Sequence, residues 1–168
     1  MLLAVIALAV FALDQGAKYL VLQNLDENAL VPLLGEVVQL HFVKNAGAAF
    51  SLLSQSTWVF AIVASFVVVF IVLFARRIRS LGWATVFGLL LGGTIGNLYD
   101  RLFREPGFGV GHVIDFIQID PFPAIFNIAD VGITSAMGLF ILLTLRGIGL
   151  DGSRSPRRVP AAPTESPE

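Results

Sequence analysis

The chain has 168 residues, enough for one domain. It is 56% hydrophobic and only 14% charged, with a mean hydropathy of +0.82. Soluble domains are about 45–50% apolar and roughly 25% charged, so much of this surface must face lipid. A net charge of −1 argues against a nucleic-acid footprint, and the absence of cysteine excludes disulfides, thiolate zinc sites and cysteine nucleophiles.

Four apolar stretches follow one another. The first runs from Met1 to about Leu22 and is interrupted by Asp14 and Lys18. It has no basic leader, and its Ala7-Leu8-Ala9 comes too early for signal-peptide cleavage, so it reads as a retained span. The segment 23–57 follows, in which Val38, Leu40 and Phe42 alternate as in a strand. The second and third stretches, Trp58–Ala75 and Gly82–Tyr99, carry no charge. Gly88, Gly92 and Gly96 recur at every fourth position of the third, a smooth face for a packed neighbour. Segment 103–125 contains a second strand-like run, His112–Ile119. The fourth stretch, Phe126–Leu145, contains Asp130 as its one charge.

Each stretch is long enough to cross a hydrocarbon core of about 30 Å, and backbone groups in lipid must be paired internally, so all four are expected to be helices. The expected fold is therefore membrane α-helical: four transmembrane helices with a small extracytoplasmic β-sheet on the outer membrane surface. Arg76, Arg77 and Arg79 lie between spans two and three, and Arg146, Arg154, Arg157 and Arg158 follow span four. The excess of basic residues places both termini in the cytoplasm and the two longer segments outside. Residues 1–148 form the spanning domain. Residues 149–168, rich in Pro, Ser, Arg and Glu, are expected to form a disordered cytoplasmic tail.

The informative residues are the polar ones in and beside the spans, because a charge at a span centre costs about 2.5–3.5 kcal/mol on insertion scales. Asp14 and Lys18 are four apart and read as an ion pair on one helix face. Asn97, Asp100 and Arg101 close span three, either as interface anchors or as a polar cluster facing the bundle. Asp115 shares a strand face with Val113, Ile117 and Ile119, poor company for a solvent-facing carboxylate. Asn127 and Asp130 open span four, where Asp130 also suits the helix dipole. Topology puts Asp115 and Asp130 at one membrane face. Two carboxylates in a low-dielectric site tend to share a proton, so one can accept a proton from water while the other polarises a carbonyl. Neither His41 nor His112 has metal-site spacing, and no metal or cofactor is expected.

Several segments, in order, resemble the lipoprotein signal peptidases (signal peptidase II). These are Asp14 with Lys18, Phe42-Val43-Lys44-Asn45-Ala46-Gly47-Ala48-Ala49-Phe50-Ser51, Gly92-Gly93-Thr94-Ile95-Gly96-Asn97-Leu98-Tyr99-Asp100-Arg101, Val113-Ile114-Asp115-Phe116 and Phe126-Asn127-Ile128-Ala129-Asp130. The resemblance covers roughly Ala12 to Leu145. It implies an aspartic endopeptidase of the bacterial inner (cytoplasmic) membrane. Such an enzyme removes signal peptides from diacylglyceryl-modified prolipoproteins by cutting on the amino side of the lipidated cysteine. It further implies Asp115 and Asp130 as the catalytic dyad near the extracytoplasmic face. Asn45, Asn97, Arg101 and Asn127 would line or support the substrate site, and Asp14, Lys18 and Asp100 would hold it together. The implied partners are the prolipoprotein, membrane lipid and the inhibitor globomycin, with the chain acting as a monomer and without nucleic acid. The other readings are a small transporter, a non-catalytic assembly protein packing through Gly88–Gly96, and a presenilin-type protease. A transporter would need polar residues at both membrane faces, the assembly reading leaves the aspartates unexplained, and the GxGD signature of the presenilin type is absent.

Overall fold

The computed structural model describes residues 1–47 and 57–154. Its elements in chain order are α1 (Leu2–Asn24), β1 (Leu30–Leu34), β2 (Val38–Asn45), α2 (Thr57–Phe74), a 3-10 turn (Ala75–Arg77), α3 (Leu81–Phe103), β3 (Val113–Ile119), β4 (Ile125–Phe126) and α4 (Ile128–Leu145). The four helices are long and apolar enough to span a membrane. Their outward faces carry side chains such as Leu8, Leu20, Phe66, Leu73 and Ile141, all exposed, which only lipid can cover favourably.

Helix α3 is the centre of the bundle and packs on α1, α2 and α4. Its glycines make that possible. A Cβ on Gly92 would lie 2.6 Å from the Ala7 carbonyl of α1, and one on Gly93 would collide with the Ala129 carbonyl of α4. At Gly96 the space is taken by a carboxylate, with Asp14 Oδ2 2.6 Å from where a Cβ would stand. The expected smooth face is therefore real, and its last member makes room for a buried charge. Ile71 of α2 completes a cluster with Ala7 and Leu91.

The four strands form one antiparallel sheet in the order β1-β2-β3-β4. Pairing of Val43 with Asp115 and of Asn45 with Val113 puts these four residues on one face. Phe42, Ile114 and Phe116 project to the other face, where they cluster with Val21 near the end of α1. The sheet is thus fixed to the bundle by its apolar face, leaving Asp115 directed at the mouth between the helices.

Several boundaries differ from the sequence expectation. Span four begins at Ile128 rather than Phe126, because Ile125–Phe126 pairs with β3 and Asn127 caps the helix. Span three continues past Tyr99 to Phe103, adding a turn that holds Asp100 and Arg101. The strand expected to end near Val43 runs on to Asn45. Strand β1 was not expected. Of the tail, the part 149–154 turns back on the bundle: the Arg79 and Ser80 N–H groups donate to the Leu150 carbonyl, and Ile148 bridges Arg154. Residues 48–56, which include Ala48–Ser51 of the second resembling segment, and residues 155–168 lie outside the described residues.

Candidate active site

All nine polar residues singled out from the sequence meet at the sheet end of the bundle. The innermost layer is a buried ion network. The Lys18 Nζ lies 2.8 Å from Asp14 Oδ2 and 2.7 Å from Asp100 Oδ2, with all three side chains fully buried. The remaining carboxylate capacity is used too. Asp14 Oδ1 accepts from the Ala129 N–H (2.9 Å), and Asp100 Oδ2 accepts from the Ile114 N–H (3.2 Å). These bonds tie α1 to α4 and α3 to β3. Two members escaped the sequence reading. Arg104 Nε donates to Asp100 Oδ1 at 2.6 Å, and Gln15 Nε2 donates to Asp14, Asp100 and the Gly96 carbonyl. The signals were present, since Arg104 is one helical turn after Asp100 and Gln15 adjoins Asp14.

Above this layer stand Asp115 and Asp130, and each of their four carboxylate oxygens accepts a hydrogen bond. Asp115 Oδ1 accepts from Asn127 Nδ2 (2.6 Å), and Asp115 Oδ2 accepts from Asn45 Nδ2 (2.8 Å). Asp130 Oδ1 accepts from Asn97 Nδ2 (2.8 Å), and its Oδ2 accepts from the Asn127 N–H (3.2 Å). The last bond belongs to a capping box, in which Asn127 Oδ1 accepts in return from the Asp130 N–H (3.0 Å). Asp130 is therefore both a helix-capping carboxylate and a member of the cluster. Asn127 stands between the two aspartates and bonds to both.

Burial decides the electrostatics of Asp115, which is only 2% exposed. Desolvation is the largest influence and pushes its carboxyl up to about 7; the Asn45 and Asn127 amides oppose this, and the nearby Asp130 charge adds to it. Four carboxylates (Asp14, Asp100, Asp115, Asp130) are met in this cluster by three cations (Lys18, Arg101, Arg104). One carboxylic proton makes the whole assembly neutral, which is the cheapest state for a poorly solvated site.

Arg101 is less completely paired. Its Nη1 donates to the Asn97 carbonyl (3.1 Å), its guanidinium lies 5.5 Å from the centre of the Phe60 ring, and its buried Nε has no hydrogen-bond partner among the described residues. An open apolar groove of about 360 Å³ runs between α2 and the end of α3, lined by Trp58, Ala61, Ile62, Ser65, Leu102, Phe108 and Gly109. Among the described residues no group of three or more His, Asp or Glu side chains is placed to hold a metal ion.

The family match and the curated relatives point to one family. The family described as "Signal peptidase (SPase) II" matches residues 6–146. A "Lipoprotein signal peptidase" of Leifsonia xyli subsp. xyli is 63% identical, over 91% of this chain and 71% of the relative. One from Rhodococcus jostii is 45% identical, over 92% and 77%. A solved "Bacterial membrane enzyme structure" superimposes with a TM-score of 0.76 at 26% identity, covering 91% of this chain and 93% of the other. A second has a TM-score of 0.74 at 28% identity, covering 84% and 91%.

Proposed function

The chain belongs to the signal peptidase II family, and on that premise we propose that it is an aspartic endopeptidase acting on diacylglyceryl-modified prolipoproteins. It cuts on the amino side of the lipidated cysteine and releases the signal peptide. The observation that carries this reading is the pair Asp115 and Asp130, bridged by Asn127 and held at every oxygen by an amide or backbone donor. Carboxylates fixed in this way stay in reacting geometry without a metal, thiol or serine.

The mechanism follows from the unequal surroundings of the two acids. Asp115, buried in a strand with its carboxyl raised to about 7, carries the shared proton and polarises the scissile carbonyl. Asp130, in the first turn of α4 with both oxygens held by hydrogen-bond donors, takes a proton from the attacking water. Water oxygen bonds to the carbonyl carbon, and the carbonyl oxygen takes the Asp115 proton. Collapse of the tetrahedral intermediate breaks the C–N bond. The proton held by Asp130 passes to the leaving cysteine nitrogen, and the hydroxyl proton returns to Asp115. Arg101, with its buried Nε unpaired among the described residues, is suited to hold a substrate carbonyl by a charge-assisted bond. The open apolar groove lined by Trp58, Ile62, Leu102 and Phe108 suits acyl chains arriving sideways from the leaflet.

Orientation rests on charge. Arg76, Arg77, Arg79, Arg146 and Arg154 lie at the end of the bundle opposite the sheet, and this excess of basic residues supports a cytoplasmic location for that end and both termini. The site then faces outward on a multi-pass inner-membrane protein. The enzyme acts as a monomer, and globomycin blocks it at this site. The test is cleavage by the purified full chain of a precursor peptide with and without its diacylglyceryl group. The lipidated peptide is cut, the unlipidated one is not, and Asp115→Asn and Asp130→Asn each abolish turnover while keeping the fold. Turnover at the wild-type rate by either variant would remove the dyad.

A further inference from the structure

Three asparagine amides aim their NH2 groups at the proposed pair, and an amide serves that purpose only if it is not flipped. A flipped amide presents an acceptor to a carboxylate, which is repulsive. Each of the three has its oxygen pinned by a group that can only donate. Asn45 Oδ1 accepts from the Gly47 N–H (2.9 Å), and Asn127 Oδ1 accepts from the Asp130 N–H (3.0 Å). Among the described residues no backbone group donates to the Asn97 oxygen. It accepts instead from Lys18 Nζ at 3.1 Å and from Asn127 Nδ2 at 3.0 Å. The Asn127 bond is neutral, and the same nitrogen also serves Asp115. The ammonium of Lys18 is charged, fully buried and fixed by Asp14 and Asp100.

From this we infer that Lys18 is a positioning residue for the reaction: it orients the Asn97 amide and, through it, the Asp130 carboxylate. The buried ion network is then more than cement between α1 and α3. It delivers a donor to the one catalytic-site amide that the backbone leaves unpinned. Of the four donors on these three oxygens, the Gly47 and Asp130 N–H groups are backbone; of the two side chains, Lys18 and Asn127, only Lys18 makes no direct bond to Asp115 or Asp130, so its removal tests orientation alone. The charge-assisted character of the bond makes it the stronger of the two on Asn97 Oδ1.

The inference rests on the reading of Asp115 and Asp130 as the catalytic pair, and its test separates the two. Steady-state and single-turnover cleavage of the lipidated peptide is measured for wild type, Lys18→Met, Asn97→Ala and the double variant, with each rate divided by the folded fraction. Lys18→Met is expected to lower kcat by about tenfold or more with KM changed by less than about twofold, the signature of misaligned chemistry rather than lost binding. In the Asn97→Ala background the same substitution is expected to change kcat by less than about twofold, because the route to Asp130 is already gone. Equal losses in both backgrounds, or an unchanged kcat in Lys18→Met, would overturn the inference. Removing one member of a buried ion pair is costly. If Lys18→Met does not fold, Lys18→Met with Asp100→Asn removes a cation and a carboxylate together, and Asp100→Asn alone is the reference in the same two backgrounds. Turnover by Asp130→Asn would instead signal that the pair itself was misassigned, whereas inactive aspartate variants with additive Lys18 losses would reject this inference alone.

Discussion

At the end of the bundle away from the sheet, α3 and α4 meet through Trp83, Val86, Ala136 and Leu143. At the sheet end the same two helices meet through Asn97, Asn127 and Asp130, with Lys18 of α1 behind them. Among the described residues every buried charged side chain, namely Asp14, Lys18, Asp100 and Asp115, belongs to the sheet end. Apolar packing would hold that end together as well: replacing a buried ion cluster by aliphatics is often neutral or stabilising. The difference between the ends is therefore not required by folding. It fits the proposed chemistry, which needs fixed carboxylates in a poorly solvated place.

The comparison breaks most visibly at Asn127. Its side chain caps α4, donates to Asp115 and supports Asn97. Asn127→Leu is expected to lower kcat by about 100-fold or more, since displacement of reacting groups by about an ångström costs that much. The lost cap adds about 1 kcal/mol of instability. Cleavage rates and thermal unfolding of the purified variant check both. Near-normal turnover would mean that the aspartates hold their positions without the amide between them.

How much of this was legible differs between elements for physical reasons. The spans were readable because lipid forces apolar composition and internal backbone pairing on any crossing segment. Asp14, Lys18, Asn97, Asp100, Asp115, Asn127 and Asp130 were readable because polar groups are conspicuous in such company. Strand β1 was missed because Leu30–Leu34 is exposed throughout, contains Pro32 and shows no alternation. Strand β4 has only two residues and no pattern of its own; it exists because β3 offers an edge. Arg104 was legible as an i,i+4 partner of Asp100 and Gln15 as a neighbour of Asp14, but only the packing of α1 on α3 brings Gln15 to Asp100 as well. The amide orientations depend on hydrogen bonds between residues 70, 33 and 12 positions apart, which no local pattern encodes.

A second way to sharpen the comparison is pH. In the proposed mechanism the pair works with one proton. Burial raises the Asp115 carboxyl to about 7, far above its ordinary value, so the proton is retained below that pH and lost as pH rises through it. Activity is therefore expected to fall on the alkaline side, by up to about tenfold per pH unit once the pair is fully ionised. The profile is a property of the pair, to be read from initial rates over roughly pH 5 to 9. A flat rate across the alkaline half would show that no proton on the pair is needed.

The smallest expected effect lies at the opposite end and serves as the control for the rest. Trp83 is buried against Phe140, with ring centres 5.3 Å apart, and its Nε1 donates to the Ile148 carbonyl at 2.8 Å. That bond fastens the chain after α4 to α3, at a distance from every polar residue of the site. Trp83→Phe keeps an aromatic ring but removes the donor, leaving one carbonyl without its partner. A net hydrogen bond is worth about 0.5–1.5 kcal/mol, and for a chain of this size about 1 kcal/mol lowers the unfolding midpoint by about 2–4 °C. The expected result is a shift of that order with kcat and KM unchanged. If the two ends are as separate as their packing indicates, a loss of stability at the apolar end leaves the chemistry intact. A kcat loss in Trp83→Phe approaching that of Asn127→Leu would show instead that the apolar end also helps to align the carboxylates, through the shared helices α3 and α4.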